Sequence, residues 1–360
     1  MKQQASTKIS VMAVALLIFT MMVPAAIYAG GENRVGTNAA SELLIPVGAR
    51  DIAMGGSSIA TTSGLDAIFW NPAGLARSQN SANAMFSHMN YIADIGIDYV
   101  AVSTSFEGFG TLGFSLKSVG IGEIAVTDEN SPDGTGQIIN PTIVNAGITY
   151  SRLLTDRISV GATATLISER FDRVSASGFA FSAGVQYSGL ANVNGLSVGV
   201  AVKNIGPQMK FDGDGLLRQG NINDVLRSAS FYKVEAGSFE LPSTIELGLA
   251  YNYTVAEDNF LTLTGVFQNN NFAADEYKAG LEYNYANTFF LRGGYNFAEI
   301  TKNQSIQASA DFDKTTHIFG FSAGAGLKYN LGSLAVSFDY AFRSVKFLEN
   351  NHVFTVGLGF

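Results

Sequence analysis

Residues 320–324 read Gly-Phe-Ser-Ala-Gly, the spacing of a nucleophile elbow in which Ser322 would attack a carbonyl. That chemistry needs a sharp strand-to-helix turn. Around Ser322 the residues alternate instead, with Phe319, Phe321 and Ala323 on the opposite face, so the stretch reads as the small-residue face of a strand. The three histidines, His88, His317 and His352, share no metal-ligand spacing. His88 and His352 fall on the first and last of the strands set out below and are read as a polar pair facing the inside of a closed barrel. Carboxylates crowd the stretches DENSPDGTG (128–136) and FDGDG (211–215). Carboxylate oxygens suit calcium, but neither stretch has EF-hand spacing, and both read as solvated acidic loops. With no cysteine there is neither a thiolate ligand nor a disulfide. These residues predict no catalytic site, no metal and no cofactor.

A second set of charges is more informative. Lys117, Glu246, Lys278, Glu282, Arg292, Lys328, Asp339 and Arg343 all lie on the less apolar face of alternating segments. In 241–255, Ile245, Leu247, Leu249, Tyr251, Tyr253 and Val255 point one way, and Thr244, Glu246, Gly248, Ala250, Asn252 and Thr254 the other. In 332–343, Leu334, Val336, Phe338, Tyr340 and Phe342 oppose Ser333, Ala335, Ser337, Asp339, Ala341 and Arg343. Period two held over about 10 residues suits a tilted strand crossing a bilayer. The apolar face meets lipid; the charges, several kcal/mol each to bury in lipid, must line the lumen. Their mixed signs favour ion pairs that brace the interior over a permeation path.

Composition supports a membrane barrel. Only 14% of residues are charged, against about 25% in soluble domains. There are 39 glycines, and Phe plus Tyr number 26 + 14 = 40. Beyond residue 29 no apolar run approaches the roughly 18 residues of a membrane helix. Residues 1–29 have the layout of a signal peptide: Lys2 and Lys8, an apolar run over 9–23, and a small residue at Ala29. The formal charge is −8, and −10 without Lys2 and Lys8 (20 − 30), which disfavours nucleic acid.

Fourteen strands are predicted near 81–92, 97–107, 109–119, 142–153, 156–171, 177–189, 195–205, 242–254, 259–269, 274–286, 288–298, 317–329, 333–344 and 351–360. The connections sort by parity. Even-numbered ones are short, whereas the long segments 120–141, 206–241 and 299–316 are the third, seventh and eleventh, all at one end. Short periplasmic turns opposite long external loops are the rule in outer-membrane barrels, which places both ends of the mature chain in the periplasm. At the C-terminus, Phe354, Val356, Leu358 and Phe360 share one face and resemble the signal read by the barrel assembly machinery. The fold class is therefore all-β: a transmembrane antiparallel barrel of about 14 strands, residues 81–360, in the outer membrane of a Gram-negative bacterium.

Residues 30–80 do not alternate. Two short helical pieces are broken at Gly55-Gly56 and Asn71-Pro72; Pro72 drives Asn71 out of the helical region, and Gly74 is read as permitting a tight reversal. Irregular backbone is tolerated at membrane depth only inside protein or a wet cavity, so this segment is predicted to plug the barrel. Trp70 is its aromatic anchor, and Asp66, Trp70, Asn71, Pro72 and Gly74 form its motif. GARDIAMGGSSIA (48–60) followed by LDAIFWNPAGLA (65–76), VKNIGPQMKF (202–211), LPSTIELGLAY (241–251) and DYAF (339–342) resemble the PorV/PorQ family, within the FadL-like group of outer-membrane barrels. The resemblance implies a fourteen-stranded barrel with an N-terminal plug, no catalysis, and a role in type IX secretion beside the translocon and cargo sorting domains. The wider group implies an alternative, transport of hydrophobic small molecules such as fatty acids.

Overall fold

The computed structural model describes residue 34 and residues 36–220, 230–298 and 318–360. The signal segment 1–29, the loop 299–316, His317 and part of the loop 206–241 lie outside the described residues. Fourteen antiparallel strands close into one barrel. They are β1 (Ala82–Asn90), β2 (Gly96–Phe106), β3 (Gly110–Gly120), β4 (Thr142–Leu153), β5 (Ile158–Phe171), β6 (Val174–Ser188), β7 (Leu196–Ile205), β8 (Thr244–Ala256), β9 (Asn259–Asn270), β10 (Glu276–Tyr285), β11 (Phe289–Ala298), β12 (Phe319–Leu331), β13 (Leu334–Val345) and β14 (Asn351–Gly359). Each pairs with its sequence neighbours, and β1 pairs with β14, Phe86 facing Val356 across the seam. Closure leaves no edge with unpaired backbone groups, as hydrocarbon requires.

Short turns at 107–109, 154–157 and 257–258 mark one end. At the other lie the connections 120–141 and, where described, 206–241, which carry two-stranded ribbons: Ile124–Ala125 with Ile138–Ile139, Met209–Lys210 with Ser238–Phe239, and Leu217–Gly220 with Ser230–Lys233. The outward row Phe114, Leu166, Phe179, Leu247, Leu291 and Phe338 is exposed, as a lipid-facing surface must be. Phe354, Val356, Leu358 and Phe360 belong to the same outer face.

Leu249 shares the outward parity but is not open to lipid. It packs with Leu196 and Tyr251 beside Leu190 and Val193 of the 189–195 turn and is buried. The two described histidines also depart from expectation. His88 follows outward Phe86 at period two, so it faces out, with Nδ1 2.7 Å from Asp98 Oδ1 and Nε2 3.0 Å from Asn90 Oδ1. His352 precedes outward Phe354 at the same period and meets the Tyr340 hydroxyl at 2.8 Å. The register sets His352 opposite Asn90 and His88 opposite Phe354, so the pair neither meets nor enters the lumen.

Residues 34–80 run through the lumen from one end to the other. Arg34 pairs with Glu240 of the long-loop end (2.6 Å), and the Ala39 amide donates to the Glu240 carbonyl (2.9 Å). Arg77 reaches the short-turn end, donating to Ser159 Oγ (2.8 Å) and the Arg157 carbonyl (2.9 Å). The described residues thus start at the long-loop mouth, and the expected N-terminus of the mature chain lies outside them. The aperiodic segment gave no direction of travel; the Arg34–Glu240 pair and Lys117 set it.

Candidate functional site: the lumenal segment and its wall

The segment contains two short helices, α1 (Ala49–Ala53) and α2 (Ala67–Trp70), and 3-10 turns at Ser41–Leu44, Gly64–Asp66 and Pro72–Arg77. After α1 the chain reverses at Gly55 and Gly56, both with positive φ (67° and 74°), which glycine adopts without strain. Asp51 locks this reversal: its fully buried carboxylate accepts from Ser58 Oγ (2.5 Å) and Thr62 Oγ1 (2.8 Å). Sequence reasoning missed Asp51, although hydroxyl residues at 57, 58, 61 and 62 were the available signal.

Asn71 is extended (φ −156°), as a residue before proline must be, and Pro72 opens the next helical turn. Asn71 Oδ1 accepts from the Ala73 amide (3.2 Å), capping that turn, and Nδ2 donates to the Ile59 carbonyl (2.8 Å). Gly74 does not make a reversal. It sits within the 3-10 turn, and a Cβ there would be 2.9 Å from Ala67 Cβ and would overlap the Thr62 carbonyl, so close approach is what demands glycine. Trp70 is 4% exposed; its indole N–H donates to the Val47 carbonyl (3.0 Å) and its ring meets Phe69 edge-on at 5.1 Å. Lys203 Nζ lies 5.4 Å from the Trp70 ring centre and 5.2 Å from that of Phe69.

From α1 onward the segment sweeps round the wall. The Ala49 amide donates to Thr355 Oγ1 of β14 (2.9 Å), and Ser322 Oγ of β12 donates to the Ala53 carbonyl (3.2 Å). Ser57 and Thr264 of β9 share a hydrogen bond (2.6 Å), and the Ala76 amide donates to Ser151 Oγ of β4 (3.2 Å). Where it passes, the wall withdraws its side chains. A Cβ on Gly199 would lie 2.5 Å from the Ile59 carbonyl oxygen, and one on Gly324 2.6 Å from Ala53 Cβ. Gly161, Gly184, Gly248, Gly280 and Gly294 would likewise collide with Pro72, Asn71, Ile59, Ser57 and Gly55. These glycines form a belt fitted to the segment, to its backbone at Gly161, Gly199 and Gly294 and to its side chains at Gly184, Gly248, Gly280 and Gly324. Ser322, in the elbow-like motif, is therefore a lumenal ligand of the segment, 1% exposed.

The lumenal charges brace the same contact. Arg292 binds Glu282 (2.6 Å) and Asp339 (2.5 Å), and Arg50 of α1 binds Glu282 (3.2 Å). Lys203, missed in the sequence, pairs with Glu246 at 2.7 Å. Lys278 pairs with Glu276 (3.3 Å) and touches Gln268. Lys117 donates to the carbonyls of Glu42 (2.6 Å) and Ile45 (3.0 Å). Arg343 lies 3.8 Å from the Phe319 ring centre. Lys328 lines a cavity toward the short-turn end and belongs to none of these clusters. Asp66 lies between Asp51 and the arginines Arg50 and Arg292, with Oδ1 unpartnered. Burial first, then the Asp51 charge, pushes its carboxyl up to about 8 against the pull of the arginines.

Space remains on both sides of the segment. Toward the long loops lies a cavity of about 560 Å³ lined by Leu43, Ile52, Phe69, Trp70, Lys203, Lys278 and Arg343. Toward the short turns lie two others, of about 510 and 320 Å³, both touching Arg50 and Arg77. No group of three or more metal-ligating side chains gathers among the described residues.

Solved channel structures share this fold of a closed antiparallel barrel. The chain is similar to the CymD monoaromatic hydrocarbon channel (TM-score 0.54, 12% identity, 88% of this chain and 98% of that one). It is similar to the toluene transporters TbuX of Ralstonia pickettii (0.55, 14%, 88% and 98%) and TodX of P. putida (0.55, 14%, 88% and 99%). No curated protein sequence matches. The family model for type IX secretion system protein PorV matches residues 28–270, and the chain belongs to that family.

Proposed function

We propose that this protein is a non-enzymatic outer-membrane component of type IX secretion that acts as carrier or docking partner of secreted cargo. The observation that carries this reading is the fit between the lumenal segment and the wall. A segment seated on seven glycines and tied by Arg50–Glu282 serves as a plug, and the long-loop end becomes the working surface. Membership of the PorV family supports the same reading. Maturation follows cleavage near Ala29, and the barrel assembly machinery reads Phe354, Val356, Leu358 and Phe360. The translocon and a cargo sorting domain are the partners, met at the ribbon where Phe231 and Tyr232 stand exposed. Replacing Phe231 and Tyr232 together by Ser tests this: cargo accumulates in the periplasm while the barrel stays at its normal level and heat-modifiable. Unimpaired cargo export by the variant refutes the docking role.

A second reading, transport of hydrophobic small molecules, is favoured by the cavity beside Trp70, whose plug-side wall is apolar. It predicts that cells lacking the protein take up toluene or a long-chain fatty acid more slowly. Equal uptake removes it.

A further inference from the structure

The arm spanning residues 38–45 divides the long-loop mouth of the barrel. On the β8–β12 side lies the cavity beside Trp70. On the β2–β6 side lies another, of about 600 Å³, with walls of Ile95, Val119, Ile143, Phe171, Val174 and Phe211. Phe171 and Phe211 meet edge-on at 5.8 Å. Against this apolar lining stand two carboxyls, Glu42 of the arm and Glu169 of β5. The residues are 4% and 6% exposed and line the same cavity. Glu42 Oε1 has no hydrogen-bond partner. The Ala40 backbone serves Glu169. Lys117 is near enough to act on Glu42 electrostatically, but its ammonium group donates to the backbone carbonyls of Glu42 and Ile45.

Two carboxylates on the wall of one cavity and shielded from water repel each other, and buried charge is stable only when paired. Here the deficit of positive charge adjoins an apolar cavity with two aromatic rings. An ammonium group on an apolar body satisfies both, its charge toward the carboxylates and its carbon skeleton against the wall. We propose that this side cavity binds amphiphilic organic cations, with the ammonium head at Glu42 and Glu169 and the apolar body against Ile143, Phe171 and Phe211. The site is independent of which of the two functional readings holds.

The test uses the full-length mature protein in a neutral maltoside detergent. Titration calorimetry is run with 4-phenylbutylammonium, and with 4-phenylbutyrate and 4-phenylbutanol as anionic and neutral counterparts. Saturable one-site binding of the ammonium compound is expected, at least tenfold tighter than either counterpart. The double variant Glu42→Gln/Glu169→Gln should lose at least tenfold in affinity. Ile143→Trp, which fills the cavity and keeps both carboxyls, should lose binding as well; heat-modifiable mobility verifies that each variant is folded. Trp70 emission should not move, since Trp70 lines the other cavity. Three results overturn the proposal: equal affinity for all three compounds, unchanged binding in both folded variants, or no saturable binding at all. A calcium chloride titration that the double Gln variant abolishes, with no response to the ammonium compound, identifies an inorganic cation site and overturns it too.

Discussion

The two halves of the lumen hold the same segment by opposite means. Strands β1–β4 with β13 and β14 present apolar side chains inward: Met85, Met89, Ile97, Tyr99, Val119, Ile143 and Val353 cluster with Val47, Ile68, Trp70 and Leu75. This half is a hydrophobic core like that of a soluble domain. Strands β5–β12 present glycine to the segment and place ion pairs around it. A filled core yields to small changes because its neighbours can repack. Where glycine meets backbone directly, as at Gly161, Gly199 and Gly294, the seat cannot yield, because nothing flexible stands between the surfaces.

The difference can be broken first at the belt. Gly199→Val should cause the largest loss: its side chain meets the Ile59 carbonyl and the Ala60 Cα, both backbone. Loss of the heat-modifiable band, or protease access to residues 50–77 in a folded barrel, is the expected outcome. Normal mobility with a protected segment would mean that the two halves are equally forgiving.

Next comes the ion-pair cluster. Arg292→Ala strands Glu282 and Asp339 in the lumen and should cost about 3–5 kcal/mol, the usual loss when one partner of a buried pair is removed. A denaturant midpoint unchanged from wild type would reduce the cluster to decoration.

Trp70→Ala sharpens the comparison from the apolar side. Truncating a buried aromatic costs about 3–5 kcal/mol in a rigid core and falls toward the lower figure where neighbours collapse. Combined with Asn71→Ala, it should leave an assembled barrel with raised conductance in planar bilayers. Wild-type Trp70 emission should be blue-shifted and poorly quenched by acrylamide; free quenching would place the indole in open water.

On the outer face, Phe338→Arg should cost about 2–4 kcal/mol near the bilayer midplane, and Ser337→Arg, pointing into the lumen, less. Equal damage at both sites in a refolding assay would reverse the facing. Leu249 is a poor probe of lipid contact because the 189–195 turn shields it.

A last test is a pH dependence. The Asp66 carboxyl is raised to about 8 in the folded protein, so the folded state holds a proton that the unfolded chain releases near pH 4. Stability should therefore fall as pH rises from about 4 to 8, and Asp66→Asn should flatten that slope. An identical slope in the variant would assign the titration elsewhere.

The wall was legible in the sequence where its two faces differ in polarity. At 332–343 apolar and small or charged residues alternate, and β13 spans Leu334–Val345. The apolar half of the lumen was not. Along β2, inward Ile97, Tyr99 and Ala101 alternate with outward Val100 and Val102, so both faces look alike. The histidines were misplaced although the cue was present, since His88 stands two residues from outward Phe86 and so shares its face. Trp70 and Asn71 were legible as an anchored turn because proline constrains its neighbour by sterics alone. Lys203 and the belt were not, because each is defined by a partner far along the chain and no local period records it; Asp51 was missed although its partners Ser58 and Thr62 follow within 7 and 11 residues.

The course of residues 34–80 from one mouth to the other has a consequence for how the molecule is made. Ala49 is bonded to Thr355, 306 residues later, on the strand that also zips the seam to β1. The segment thus lies as a rod along the cylinder, tied to the strand that closes it. Seating the rod and sealing the seam become one event, and bringing such distant points together is the slow part of building a β-structure. Once sealed, the rod has no sideways exit, and withdrawal along the axis must drag it across the very glycines that fit it.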